Sequence, residues 1–133
     1  MDAYGKLETS IFSVFGSASW VAENISTFPS NYEVSGLEEF IRVIIIPAGP
    51  DEQYNIISGV LNIDIFVPHG NGPGRASAIA DILDKHLMRK SILGVDNSLT
   101  QLYHSGFSPR GRDKDNPTLA RFLYSIAFKF FGE

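Results

Sequence analysis

Apolar and polar positions recur with two different periods along the chain, and the two periods divide it into helices and strands. From Lys6 to Val21 apolar residues return every three or four positions, which predicts an amphipathic helix that Gly16 weakens in its middle. A second helical stripe runs from Gly74 to Met88, with an apolar face made of Ala76, Ile79, Ala80, Leu83 and Leu87. The pattern therefore predicts two main helices, each with one face turned to a core.

Between the helices the period is typical of strands. The segment EEFIRVIIIPAGP, residues 38–50, is rich in β-branched residues and predicts a strand stopped by Pro47 and Pro50. The segment YNIISGVLNIDIFVP, residues 54–68, predicts a half-buried strand with Leu61, Ile63, Ile65 and Val67 on one face. Turn residues lie between the two segments, so we expect an antiparallel pair.

The C-terminal part repeats the strand pattern. Residues 91–94 and 98–107 predict two strands, residues 108–118 a polar loop, and residues 119–131, LARFLYSIAFKFF, a long strand. One face of that last strand is strongly aromatic: Ala120, Phe122, Tyr124, Ile126, Phe128 and Phe130. The order of elements predicts an α+β fold, a single mixed, mostly antiparallel β-sheet with two main helices packed on it, in one domain spanning residues 1–133.

Composition narrows the possible functions. Apolar residues make up 44% of the 133 residues, enough for one core. There is no cysteine, which excludes disulfides and thiol chemistry. The net charge of −4, without a run of lysines and arginines, argues against general binding of nucleic acid. No apolar run reaches the roughly 18 residues of a membrane span, and the first ten residues lack the features of a secretion signal, so we expect a soluble intracellular product with no membrane partner.

A glycine-rich corner leads into the second helix. Gly70, Gly72 and Gly74 in the stretch VPHGNGPGRASAIADIL could cradle a nucleotide's phosphates or simply turn the chain. The spacing is G-x-G-x-G, Pro73 removes an amide donor, and the preceding strand is one arm of a hairpin. The structural interpretation is therefore favoured, and a small nucleotide-binding enzyme using Gly70 to Gly74 is a remote alternative.

The sequence contains no clear pattern of catalytic or metal-binding residues. His69, His86 and His104 lack the close spacing of zinc ligands, and no two carboxylates are placed together by the sequence. No serine has the glycines of a nucleophile elbow. We therefore expect no enzyme, no catalytic residue, no cofactor and no metal.

Two segments are candidate surfaces for subunit or partner contacts. The polar segment SPRGRDKDNPT, residues 108–118, is most simply a solvated loop, but its mixed charges could also order against a neighbouring chain. The aromatic terminal strand is first of all core, although at a sheet edge it could pair with a neighbour. The candidate interface residues are Arg110, Arg112, Asp113, Lys114, Asp115, Phe130 and Phe131.

The whole pattern resembles the tail-terminator family of long-tailed bacteriophages. The resemblance rests on the N-terminal amphipathic helix, the strand FIRVIIIPAGP, the strand, corner and helix GVLNIDIFVPHGNGPGRASAIADIL, and the aromatic ending YSIAFKFF. It implies a non-enzymatic virion protein, assembled in the host cytoplasm, that forms a ring of six subunits at the head-proximal end of the tail. Such a ring caps the tail tube, stops its polymerisation and provides the joining surface for the head-completion (stopper) proteins.

The resemblance also suggests how DNA would pass. Acidic loop residues facing the channel would let DNA through without specific binding, and Asp51, Glu52, Asp113 and Asp115 are the candidates. A head-tail connector of the same phage, that is, a neck protein, has similar size, acidity and layout and is the alternative.

Overall fold

The computed structural model describes residues 3–29, 39–50, 56–70, 73–113 and 118–132. Its helices are α1 (Ala3–Phe15), α2 (Ala18–Val21) and α3 (Gly74–Leu87). Its strands are β1 (Thr27–Pro29), β2 (Phe40–Pro50), β3 (Ile56–Pro68), β4 (Ser91–Leu93), β5 (Leu99–Arg112) and β6 (Leu119–Phe131), with a short 3-10 turn at Val95–Asn97 before β5. None of the described helices is long and apolar enough to cross a membrane.

The strands form one six-stranded sheet in the order β1-β2-β3-β6-β5-β4. β1 and β2 are parallel, and every other neighbouring pair is antiparallel. The predicted α+β fold, with a mixed, mostly antiparallel sheet and two longer helices, is confirmed.

The predicted N-terminal helix is two helices. α1 ends at Phe15, directly before Gly16, and Ser17 has extended backbone angles (φ −70°, ψ 153°). The Ser17 hydroxyl accepts the N–H of Trp20 at 3.3 Å, which caps the start of α2. The break lets Trp20 turn into the core, where it is 2% exposed.

The β2–β3 hairpin is confirmed, but Pro47 does not stop β2. The register Ile41↔Ile65 and Val43↔Ile63 continues to Pro47↔Gly59, and the strand runs on to Pro50 across a register shift. β1 pairs only with residues 41–43 of β2, so no described strand lies beside Pro47 on the side of β2 away from β3. The missing N–H of Pro47 therefore leaves no described strand on that side without a hydrogen-bond donor. Proline is tolerated in a strand at such an open edge.

The C-terminal strands differ from the prediction in two respects. β5 continues to Arg112, so that Ser108 and Pro109 are paired strand residues opposite Leu123 and Phe122, where we expected a loop. β6 lies between β3 and β5 in the middle of the sheet. The terminal strand is therefore not at an edge of the sheet, where we considered that it could pair with a neighbouring chain.

The main core lies between the helices and one face of the sheet. The predicted apolar face of α3 is fully used: Ala76, Ile79, Ala80, Leu83 and Leu87 are all buried. The alternating aromatic face of β6 packs there too, with Tyr124, Ile126, Phe128 and Phe130 at most 1% exposed. α1 adds Leu7, Ile11 and Phe15 to the same cluster.

A second, smaller cluster lies on the opposite face of the sheet. Phe40, Phe66 and Leu119 are buried together, with Phe28 packed against them. The C-terminal half of β3 is therefore buried on both faces, whereas we expected a half-buried strand along its whole length. The sequence signal was Phe66, whose large apolar side chain stands at a position of the predicted polar face.

Gly59 on β3 is a position where the packing requires glycine. A Cβ there would lie 2.8 Å from the Phe128 ring and 2.9 Å from Pro47 Cα. We predict that Gly59→Ala lowers the free energy of unfolding by about 1–3 kcal/mol, because overpacked sites displace their neighbours. Denaturant titration followed by circular dichroism measures the change.

The matched control is Gly106→Ala on β5, where the nearest described atom, Ser125 Oγ, would be 3.8 Å from the new Cβ. This variant should keep its unfolding midpoint or gain slightly. Equal loss of stability in the two variants would contradict the packing argument.

Candidate functional site

The corner before α3 has the geometry of a turn. Gly70 has φ +97°, a conformation that glycine adopts readily, and Pro73 stands at the N-cap of α3 without a side-chain cap. β3 has antiparallel neighbours on both sides, so the parallel neighbour that a dinucleotide site needs is missing. These observations agree with the structural interpretation of the glycines; Asn71 and Gly72 lie outside the described residues.

Arg75 in the first turn of α3 forms a salt bridge with Glu39, the residue before β2. Its Nε and Nη2 donate to the two carboxylate oxygens of Glu39, at 2.5 Å and 3.2 Å. The hydrogen bond to Glu39 raises the pKa of Arg75. The contact ties the start of α3 to the segment that leads into β2.

The three histidines have separate environments. His69 Nε2 accepts a hydrogen bond from Arg112 Nε at 3.0 Å. His86 Nε2 lies 3.4 Å from Glu23 Oε2, and its ring meets Trp20 edge to face. His104 is exposed on β5. Among the residues that the structure describes, no group of three or more histidines and carboxylates could hold a metal ion.

Asp84 on α3 is the acceptor of a small hydrogen-bond network. The hydroxyl of Tyr124 donates to its Oδ1 at 2.7 Å, and the hydroxyl of Ser105 donates to the same oxygen at 2.5 Å. Burial and the hydrogen bond to Asp84 raise the pKa of Tyr124. The neutral phenol is thus favoured in the folded state, so its contribution to stability is complete below pH ~10 and is lost as the pH rises further. The network joins α3 to β5 and β6.

A buried carboxylate lies on the opposite face of the sheet. Asp64 is 4% exposed and accepts from Nε and Nη2 of Arg121, at 3.1 Å and 2.9 Å. Beside it, the guanidinium of Arg42 lies 5.3 Å from the centre of the Phe66 ring, within the range of a cation–π interaction. Both charged contacts stabilise the smaller cluster.

The structure brings together three of the predicted interface residues. Arg110 and Arg112 are exposed at the end of β5, and Asp113 follows them with its N–H donating to the carbonyl of Leu119 at 3.0 Å. Lys114 and Asp115 lie outside the described residues. Arg110 and Arg112 therefore belong to a paired strand and not to a loop.

The two aromatic candidates point to opposite faces of β6. Phe130 is 0% exposed and lies in the main core, so it offers no surface to a partner, and we withdraw it as an interface residue. Phe131 is 38% exposed. It pairs with Leu99, whereas Arg112 pairs with Ala120 at the other end of the hairpin. Because a strand rises about 3.3 Å per residue, the two ends lie roughly 35 Å apart.

Of the candidate channel-facing acids, only Asp113 belongs to the described residues, where it is half-buried. Asp51, Glu52 and Asp115 lie outside the described ranges. Their role stays a prediction.

An apolar cleft that we did not predict lies beside the corner. It has a volume of about 460 Å³ and lies between the corner and the β5–β6 hairpin, lined by Pro68, His69, Gly70, Pro73, Pro109, Ala120 and Phe122. Phe107 stacks on Phe122 with a centroid distance of 5.5 Å, and 39% of Phe107 is exposed. An aromatic residue next to the polar Ser108–Arg112 run was the available sequence signal.

No protein-family model matches the sequence, and no curated protein matches it. Among solved structures, the fold is similar to a chain in the virion of a native gene transfer agent particle, with a TM-score of 0.70, 10% identity and coverage of 98% of each chain. A second solved structure, which bears no functional name, has a TM-score of 0.68 and 12% identity, over 98% of this chain and 94% of its own. At such low identity these likenesses show the fold.

The Asp84 network predicts a specific stability loss. Asp84→Ala leaves the hydroxyls of Tyr124 and Ser105 without their acceptor, and unsatisfied buried groups cost about 1–3 kcal/mol. We expect the free energy of unfolding to fall by that amount in denaturant titrations at neutral pH. Asp81→Ala, which removes an exposed carboxylate from the same helix, is the control and should change stability by less than about 0.5 kcal/mol. Similar values for the two variants would show that the network contributes nothing.

Proposed function

We propose that this chain is a structural protein of a phage-like particle and acts as its tail terminator. In this proposal about six copies form a ring that caps the tail tube, stops its polymerisation and presents a joining surface to the head-completion proteins. The observation that carries the proposal is the full-length fold similarity to a chain of a gene transfer agent virion, at a TM-score of 0.70. The resemblance of the sequence pattern to tail terminators supports the more specific role.

The use of the polar side chains favours a non-enzymatic role. Asp64 accepts hydrogen bonds from Arg121, and Asp84 accepts hydrogen bonds from the hydroxyls of Tyr124 and Ser105. Arg75 is occupied by Glu39. In each case the polar group fixes one element to another, which is the role expected in a protein that works through shape.

A ring is a natural product of a heterologous interface. When one surface of a subunit binds a different surface of the next, a closing rotation gives a ring with two distinct faces. One face can then bind the tail tube and the other a head-completion protein. This division explains how a single small domain could join two different structures.

A head-tail connector is the second candidate. The similarity to a chain of a complete virion fits a neck protein as well as a tail terminator. The two roles differ in the partner, because only a terminator controls the length of the tail tube.

The length of the tail tube tests the proposed role. We predict that particles assembled without this chain carry tubes that exceed the normal length and lack heads, because polymerisation has no stop. Negative-stain electron microscopy measures the lengths, and native mass spectrometry of the purified chain with tail tubes should show about six copies per tube end. Tubes of normal length in its absence would favour the connector, and a chain that stays monomeric with tubes present would contradict the terminator role.

We also propose that Asp51, Glu52, Asp113 and Asp115 face the channel of the ring. Replacing them in pairs, Asp51→Lys with Glu52→Lys and Asp113→Lys with Asp115→Lys, should slow DNA delivery, because lysines attract the phosphates that must pass. Delivery per assembled particle is the measurement. The control is Glu8→Lys with Asp81→Lys, two exposed acids on α1 and α3. Delivery at the wild-type rate in both test pairs would contradict the channel assignment.

A further inference from the structure

Charge is distributed very unevenly along this acidic chain. Residues 85–112 contain five of its 11 lysines and arginines and only one of its 15 acidic residues, so they carry a net charge of +4. Because the whole chain carries −4, the remaining residues carry −8. One region of each molecule is therefore opposite in charge to the rest.

The fold gathers this positive region along one side of the sheet. Lys85 is exposed near the end of α3, and Arg89 and Lys90 are exposed in the turn into β4. The turn is held against β5, since the N–H of Arg89 donates to Tyr103 O at 3.1 Å and the N–H of Leu102 donates to Lys90 O at 2.9 Å. Further along β5, Arg110 and Arg112 continue the positive charge.

In the part of the chain that the structure describes, these cations lack the carboxylate partners that other cations have. Lys6, Arg75 and Arg121 each lie within 4.0 Å of a carboxylate. Within the described ranges, no carboxylate lies that close to any of the five cations Lys85, Arg89, Lys90, Arg110 and Arg112. Their charge is thus available to a partner.

The same side also exposes apolar groups and strand backbone. β4 pairs only with residues 99–101 of β5, so β5 from His104 to Arg112 has no described strand on its outer side. Leu93 is 81% exposed, Tyr103 38% and Phe107 39%. A solvated charged surface needs no such groups, whereas protein interfaces combine apolar contacts with charge at the rim.

We propose that this side, the β4–β5 edge, formed by Arg89, Lys90, Leu93, Tyr103, Phe107 and Arg110, binds an acidic surface of a second copy of the chain. The inference rests on the proposed ring and names one side of its subunit interface. A second copy is the partner that the charges favour, because outside residues 85–112 each copy carries −8. Positive and negative surfaces on one molecule can join head to tail, which is the arrangement that a ring requires.

The test compares equal changes of charge at three exposed positions. Lys90→Glu and Arg110→Glu alter the β4–β5 edge, and Lys129→Glu makes the same change of −2 on β6, in the middle of the sheet. We expect each edge variant to weaken assembly about tenfold at physiological salt, because like charges oppose each other across the contact. Lys129→Glu should assemble like the wild type, and added salt should weaken wild-type assembly more than that of the edge variants.

Native mass spectrometry with and without tail tubes gives the fraction of chain in rings, and circular dichroism confirms that each variant is folded. If the wild type forms rings and all three variants do so equally, the β4–β5 edge is not the interface and the proposed function stands. If the wild type forms no ring even on tail tubes, both proposals fail. A third outcome is that the wild type binds duplex DNA, and that Lys90→Glu and Arg110→Glu weaken this binding without changing ring formation. In that case the β4–β5 edge binds nucleic acid and the inference is overturned.

Discussion

The register between β3 and β6 is the constraint on which the rest of the structure depends. All 13 residues of each strand are paired, from Ile56↔Phe131 to Pro68↔Leu119, without a register shift. Side chains alternate between faces, so a slip of one residue would exchange Tyr124, Ile126, Phe128 and Phe130 for the polar set of β6. Moving four such side chains into water would cost roughly 8 kcal/mol at about 2 kcal/mol each, which is comparable with the whole stability of a domain. The register is therefore fixed by burial.

The central position of β6 decides which surfaces are free for partners. With β3 on one side and β5 on the other, the most apolar strand is satisfied within the chain. The unpaired strand backbone lies at the edge of the sheet instead, because β4 pairs only with the first part of β5. The second part of β5 carries Phe107, Arg110 and Arg112, groups that suit contact with another protein better than continued solvation. The core thus determines the location of the surface that we propose as an interface.

The sequence predicted the elements whose burial follows one local period. For this reason the predictions of the buried face of α3, the β2–β3 hairpin and the alternation of β6 were correct. The same alternation places Phe130 in the core, so the prediction that Phe130 is an interface residue disagreed with the pattern itself. Features that depend on distant strands were missed. β5 extends into the polar run 108–112 because β6 pairs with it, and Phe66 is buried because Phe40 and Leu119 converge on it. The candidate site was predictable only in part, since Arg110 and Arg112 stand out by charge whereas Arg89 and Lys90 join them through the turn into β4.

The two solved structures share the fold of this chain at 10–12% identity. An active site fixes the identity of its reacting residues, but a core asks only for apolar side chains of suitable volume at the right period. In a ring of identical copies, both sides of the subunit contact are encoded in one sequence, so a change on one side can be matched by a change on the other. In such a protein the positions of basic and acidic surfaces can drift while the ring persists. Under the proposed ring, the charge asymmetry of residues 85–112 matters as an opposition of charges between neighbouring copies and not as a particular set of residues.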